Sequence, residues 1–139
     1  MSRLHYLADT SVFARLSKPG VAAAFAPLAA EGCVGLCAPV VFELGFAART
    51  HDDYVALSER LAAFSTVPVT DANQRRALEV QDALAVRGRH RALSLVDALV
   101  AAAAEVCDLT ILHYDADFEL VAEITDQPQA WIVDRGTAD

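Results

Sequence analysis

Five acidic residues, scattered along the chain, are of the type that holds a divalent cation. Asp9 follows one short apolar segment and Asp115 and Asp117 follow another, while Glu43 and Asp97 stand inside apolar, helix-like stretches. Burying a carboxylate on an apolar helix face is costly unless it is paired or binds a metal. Carboxylates that lie together without cationic partners raise one another's pKa, and Mg²⁺, which prefers oxygen ligands, removes that conflict. The five acids therefore predict a metal site.

Each acid also has an ordinary structural explanation. Asp9 could cap the helix that follows it, and Asp97 could favour the dipole at the start of its helix. Glu43 could point to solvent, and Asp115 and Asp117 could lie in a surface turn. These explanations are independent of one another, whereas a shared metal accounts for all five positions together.

The elements that would position these acids follow from hydrophobic periodicity. Short apolar runs alternate with longer helical ones, which predicts an α/β fold with a mainly parallel sheet. Ligands of such sheets bind beyond the carboxyl ends of the strands, where Asp9 and Asp115 stand. Pro68 cannot donate to a ladder, so its strand belongs at or near an edge. Strands are predicted at residues 4–8, 33–38, 67–69, 109–113 and 130–133. Helices are predicted at residues 11–16, 21–30, 40–49, 54–64, 72–86, 95–107 and 117–124. Thr10 or Ser11 is a possible cap of the first helix, Asp71 is the predicted cap of the fifth, and the chain is expected to fray after residue 133.

Length and charge limit the classes of protein to consider. The 139 residues are 55% hydrophobic, which suits one domain spanning residues 1–139. A net charge of −8 argues against a general nucleic-acid coat protein, but not against an enzyme that acts on phosphates, because bound metal reverses the local field. The densest basic run is interpreted either as a phosphate-binding surface or as a solvated loop, and it comprises Arg87, Arg89, His90 and Arg91.

Cysteine usage and the N-terminal residues point to a cytoplasmic protein. Cys33, Cys37 and Cys107 match no zinc-ligand spacing, and we interpret them as small buried core residues in a reducing compartment. The N-terminal segment lacks the apolar run of a signal peptide, and no stretch approaches the roughly 18 apolar residues of a membrane span.

Four segments, taken in order, resemble the PIN-domain ribonucleases, and among them the VapC toxins of bacterial toxin–antitoxin pairs. Each segment is weak alone, but together they extend over almost the whole chain. The segments are LADTSVFARL (7–16), PVVFELGFAAR (39–49), SLVDALVAAAAE (94–105) and LTILHYDADFELVA (109–122).

The resemblance implies a three-layer α/β/α sandwich around a central, mainly parallel sheet of four or five strands. It implies Mg²⁺- or Mn²⁺-dependent hydrolysis of RNA phosphodiester bonds, a homodimer, and inhibition by a VapB-type antitoxin whose tail enters the acidic groove. Its implied catalytic quartet is Asp9, Glu43, Asp97 and Asp115, with Asp117 as an auxiliary metal ligand and Thr10, Ser11 and His113 around the ligands. The family usually has Thr or Ser at the position of His113, so the surroundings of Asp115 are expected to differ here.

Other functions are weighed against this one. A response-regulator receiver needs a lysine near its acids, and Lys18 is in the wrong place. A haloacid-dehalogenase-type phosphatase needs an aspartate pair at the end of the first strand, where Thr10 and Ser11 follow Asp9. A non-catalytic PIN-like module that binds RNA or a partner, and a nuclease that acts on DNA, stay open as alternatives.

Overall fold

A computed structural model describes residues 3–139, and its centre is a five-stranded sheet in which all strands are parallel. The strand order is β3-β2-β1-β4-β5, and helices flank the sheet in a three-layer α/β/α arrangement, as predicted. The strands are β1 (Tyr6–Ala8), β2 (Val34–Leu36), β3 (Ser65–Thr66), β4 (Thr110–His113) and β5 (Gln129–Trp131). The helices are α1 (Thr10–Phe13), α2 (Pro19–Ala30), α3 (Ala38–Phe46), α4 (His51–Leu61), α5 (Asp71–Val86), α6 (Leu95–Cys107) and α7 (Asp117–Thr125).

The strand order creates a crevice between β1 and β4. From β1 the chain moves outward to β2 and β3 on one side, and then returns to place β4 and β5 on the other. Leu7 pairs with Ile111 and Ala8 with Leu112, so both strands end side by side. Connections that leave adjacent strands in opposite directions leave an opening at their carboxyl ends, where α/β proteins bind ligands.

Helix α6 brings the third acid to this crevice because its alanines allow close packing. Ala101 to Ala104 are buried, and the helix contacts β1, β4 and helices α3, α5 and α7. Small side chains let the helix approach the sheet closely, which fixes the position of its first turn. That turn contains Asp97.

The ends of several elements differ from the sequence predictions. Strand β3 is Ser65–Thr66 and not 67–69, since Pro68 has no N–H to pair, although the Val67 N–H still bonds to Leu36 O at 2.7 Å. Its position at the sheet edge is confirmed. Of the residues offered as the cap of α1, Asp9 is confirmed, whereas Thr10 and Ser11 were wrong. Asp71 was wrong as the cap of α5, which Thr70 caps.

Two further predictions need correction. Cys33 and Cys37 are buried, but Cys107 is exposed at the end of α6. The tail after residue 133 is not frayed: Ala138 is only 4% exposed, and hydrogen bonds hold its backbone against Tyr114 and Arg15. Within residues 3–139, none of the helices combines the length and apolarity that a membrane crossing requires.

Candidate metal centre

Three carboxylates converge at the crevice between β1 and β4. One oxygen from each of Asp9, Asp97 and Asp115 lies within 4.8 Å of the other two. In the part of the chain that the structure describes, no lysine or arginine forms a salt bridge with any of them. Three acids at this separation repel one another when ionised, and a divalent cation with oxygen ligands relieves the repulsion.

Asp9 uses its two oxygens differently. It directly follows β1, and its Oδ2 accepts a hydrogen bond from the Ser11 N–H at 3.0 Å, which caps α1. Its Oδ1 is buried and has no hydrogen-bond partner among residues 3–139. Burial raises the pKa of Asp9, and the charge of Asp115 raises it further. A buried oxygen without a partner, facing two other carboxylates, fits a metal ligand.

Asp97 is held in the first turn of α6. Ser94 caps that helix by accepting the Asp97 N–H at 3.1 Å. Burial, followed by the charges of Asp9, Asp115 and Asp117, raises the pKa of Asp97 to about 8. Without a cation, this carboxyl is therefore harder to ionise than an ordinary aspartate, and a bound metal would favour its ionised form.

The loop after β4 orients Asp115 through backbone hydrogen bonds. The Asp115 N–H donates to His113 Nδ1 at 3.0 Å, and Asp115 Oδ1 accepts the Asp117 N–H at 2.9 Å. Burial raises the pKa of Asp117, as does the charge of Asp115, while Arg89 opposes both. Asp117 thus adds negative charge at the edge of the cluster.

Glu43 lies beside the cluster and not within it. It is exposed on α3, and its Oε1 accepts a hydrogen bond from Thr10 Oγ1 at 2.6 Å. Because Thr10 follows Asp9, this bond ties α3 to the start of α1 next to the metal centre. Direct ligation by Glu43 stays a prediction.

Ser11 joins two sides of the crevice. Its Oγ accepts a hydrogen bond from the Tyr114 N–H at 2.9 Å, while its own N–H donates to Asp9 Oδ2. The Arg15 guanidinium lies 4.6 Å from the centre of the Tyr114 ring and donates to Ser11 O and Ala138 O. Arg15 therefore supports the wall of the site and leaves the acids unpaired.

The predicted basic run forms an exposed loop between α5 and α6. Its four residues are all exposed. Arg87 pairs with Glu123 at 3.5 Å, whereas the charge of Arg89 acts on Asp117. Of the four, Arg89 is thus the one tied electrostatically to the metal centre.

Comparison with known proteins shows which family shares this sequence and fold. Residues 6–124 match the PIN domain family, a span that contains all five acids. The chain belongs to the PIN domain family. Within that family it is 45% identical to Ribonuclease VapC51 of Mycobacterium tuberculosis over 136 residues, covering 98% of each chain. It is 38% identical to Ribonuclease VapC21 of the same species, covering 96% of this chain and 97% of the relative.

A solved structure of another protein agrees in fold. The chain superposes with a TM-score of 0.75 on VapBC2 from Rickettsia felis, a structure bound to a DNA fragment of its promoter. The alignment covers 92% of this chain and 98% of the other at 14% identity, so the likeness shows the fold alone. The prediction of a PIN-like α/β/α sandwich is confirmed.

Three residues that support the site were missed in the sequence, namely Arg15, Ser94 and Tyr114. Ser94 had a usable signal, since a serine three residues before an acid is typical of a helix N-terminus. The other two act through contacts between residues far apart in sequence, for which a single sequence carries no pattern.

Proposed function

We propose that this chain is a Mg²⁺- or Mn²⁺-dependent endoribonuclease, the toxin of a VapBC-type pair that acts in the cytoplasm to inhibit translation or growth. The observation that supports this most is the group of three carboxylates at the crevice between β1 and β4 of a PIN fold, which have no cationic partner among residues 3–139. The names of the relatives, all VapC ribonucleases, support RNA as the substrate.

The residues divide the work of hydrolysis between them. Asp9, Asp97 and Asp115 would hold the ion, directly or through water, with Asp117 as an auxiliary acid. A divalent ion held there supplies charge neutralisation at the phosphate and lowers the pKa of water. Glu43, fixed by Thr10, would accept a hydrogen bond from the attacking water and aim it at phosphorus. Cleavage would leave a 5′-phosphate and a 3′-hydroxyl.

The test is cleavage of RNA and of DNA of the same sequence with Mg²⁺, Mn²⁺ or EDTA. We expect metal-dependent cutting of RNA by the natural chain and by Asp82→Asn, an exposed acid on α5. Asp97→Asn should lose at least about a hundredfold in rate, because catalysis depends on the ion that Asp97 holds. Full activity of Asp97→Asn would refute the proposal. Metal binding without cleavage would support the non-catalytic alternative, and cutting of DNA alone would reassign the substrate.

We propose that Arg89 binds an RNA phosphate next to the site, with Arg87, His90 and Arg91 adding weaker contacts. Arg89 is exposed and its charge reaches Asp117, whereas Arg87 is engaged with Glu123. Removing one phosphate contact should reduce the slope of log affinity against log salt by about 0.7 for single-stranded RNA.

Matched variants separate these roles. Arg89→Gln should weaken RNA binding and flatten its salt dependence, while Arg60→Gln, at the far end of α4, should change neither. Binding is measured with Asp97→Asn as background, so that the RNA stays intact. An unchanged salt slope in Arg89→Gln would assign the loop to solvent.

We propose that a VapB-type antitoxin binds the apolar face of α3 and α4 and places an arginine among the acids. Phe42 and Phe46 are 77% and 85% exposed, and together with Tyr54 they border a cavity of about 420 Å³. The same helix carries Glu43, so an apolar segment with a cationic side chain is complementary to this surface in both shape and charge.

This proposal is tested with the small protein encoded next to the chain. It should inhibit the natural chain and bind Phe42→Ser/Phe46→Ser at least about tenfold more weakly. Val106→Ser, which alters an apolar residue 63% exposed on α6, is the matched control and should bind normally. Equal binding by the double variant would move the interface elsewhere, and no inhibition at all would make the chain a stand-alone nuclease.

Sedimentation of the free chain tests the homodimer that the family resemblance implies.

A further inference from the structure

A histidine stands two residues before Asp115, and it is completely buried. His113 is 0% exposed, and its ring lies 5.0 Å from the rings of both Phe118 and Trp131. Both ring nitrogens have partners: Nδ1 meets the Asp115 N–H at 3.0 Å, and Nε2 lies 2.6 Å from Gln129 Oε1. The ring therefore connects strand β5 to the loop that carries Asp115.

The partners fix the direction of both hydrogen bonds. A backbone N–H can only donate, so Nδ1 accepts from Asp115 and carries no proton. The proton of the neutral ring is then on Nε2, which donates to the side-chain amide oxygen Oε1 of Gln129. Gln129 stabilises the one tautomer that leaves Nδ1 free to hold the Asp115 backbone.

We propose that Gln129, acting through His113, is a positioning residue for Asp115. The inference rests on the metal site of the proposed function. It makes strand β5, which supplies no carboxylate to the cluster, part of the metal centre. In metal sites, partners behind the ligands typically change metal affinity by 10- to 100-fold when removed.

The competing explanation is that His113 only fills space in the core. Two substitutions separate volume from hydrogen bonding. His113→Asn loses the ring but keeps an acceptor on Cγ, where Nδ1 is attached in histidine. His113→Phe keeps the ring but has no acceptor for the Asp115 N–H.

The measurements are Mn²⁺ affinity by titration calorimetry and the unfolding temperature without metal, both on the full chain. We expect His113→Asn to bind Mn²⁺ within about threefold of the natural chain despite a lower unfolding temperature. His113→Phe should bind at least about tenfold more weakly. Affinity would then follow the acceptor and not the packing. Equal Mn²⁺ affinity in His113→Phe, or a loss in both variants that follows their stability, would overturn the proposal.

Gln129 is tested separately, which also covers a failure of His113→Phe to fold. Gln129→Leu should weaken Mn²⁺ binding several-fold in the natural chain. It should change nothing further in His113→Asn, where the imidazole that it orients is gone. Natural-like affinity in Gln129→Leu would exclude the role of Gln129. Failure of the natural chain itself to bind Mn²⁺ would instead count against the proposed function.

Discussion

At the scale of single residues, the candidate metal centre is built from carboxylates whose charge is costly to bury without a ligand. Asp9 has one oxygen satisfied by the cap of α1 and one buried oxygen with no partner in residues 3–139. Asp97 is raised in pKa by burial first and by its acidic neighbours next. In the metal-free protein, ionisation of either group opposes folding. The arrangement that would favour binding of a cation therefore lowers the stability of the protein without one.

This cost predicts a pH dependence of folding. Asp97 has a pKa of about 8 in the folded protein, against an ordinary value of 3.8 for an aspartate, so the folded state binds more protons between these two pH values. The free energy of unfolding should therefore fall as pH rises from about 4 to about 8 and level off above that.

Chemical denaturation in EDTA across this range measures the effect. Asp97→Asn should flatten the dependence and be the more stable protein at pH 8, while Asp82→Asn should follow the natural curve. Excess Mn²⁺ should restore stability at pH 8, because binding favours the ionised carboxylates. A natural chain that becomes more stable with rising pH in EDTA would contradict this reading of Asp97.

At the scale of elements, the sheet is tightly packed where β2 meets the edge strand. A Cβ at Gly35 would lie 2.7 Å from Val67 Cγ2 and 3.2 Å from Leu4 Cδ1. Val67 is only 2% exposed, so it has little room to move. The absence of a side chain at Gly35 is what lets Val67 cover β2.

Gly35→Ala should lower the free energy of unfolding by roughly 1–3 kcal/mol, because overpacking forces Val67 and its strand to shift. Urea denaturation measures this loss. Gly20→Ala is the control: a Cβ there meets nothing within 4 Å, and alanine suits a helix better than glycine. Equal stability of the two variants would show that Val67 and β3 can shift to accommodate a Cβ at Gly35 without loss of stability.

The sequence carried some of these elements and not others. Asp9 and Asp115 could be placed because both follow apolar strands whose carboxyl ends must meet in a parallel sheet. The exact bounds of the edge strand could not be predicted. Pro68 has no N–H to pair, so the pairing lies at Ser65 and Thr66, and Ser65 is a polar residue without a strand signature. The offset of Glu43 from the cluster also has no sequence signal, because it depends on how α3 packs beside α1.

At the scale of the complete chain, hydrogen bonds hold the C-terminal segment, residues 136–139, against Tyr114 beside the candidate site. The Tyr114 hydroxyl donates to Asp139 Oδ1 at 2.8 Å and accepts the N–H groups of Gly136 and Ala138 at 2.7 and 3.0 Å. Arg15 adds a bond to Ala138 O at 3.1 Å. No local pattern predicts this, because its partners come from opposite ends of the chain.

Tyr114→Phe should release this segment, since the buried Ala138 N–H loses its acceptor at a cost of about 1–3 kcal/mol and the Gly136 N–H loses the same acceptor. We expect lower stability and faster amide exchange at Gly136 and Ala138, measured by hydrogen exchange. Tyr54→Phe, which alters a half-exposed ring on α4, should leave both unchanged. Slow exchange at Gly136 in Tyr114→Phe would assign the anchoring to Arg15 alone.

The pairing of β1 with β4 also has a consequence for the time at which the proposed toxin becomes harmful. Its first carboxylate follows the first strand, but its last follows the fourth, after six of the seven helices described within residues 3–139. A chain still emerging from the ribosome therefore holds Asp9 long before Asp115 exists to face it. Each copy should therefore lack nuclease activity during most of its own synthesis. An inhibitor translated at the same time could fold within that interval and bind the toxin as soon as its site is complete.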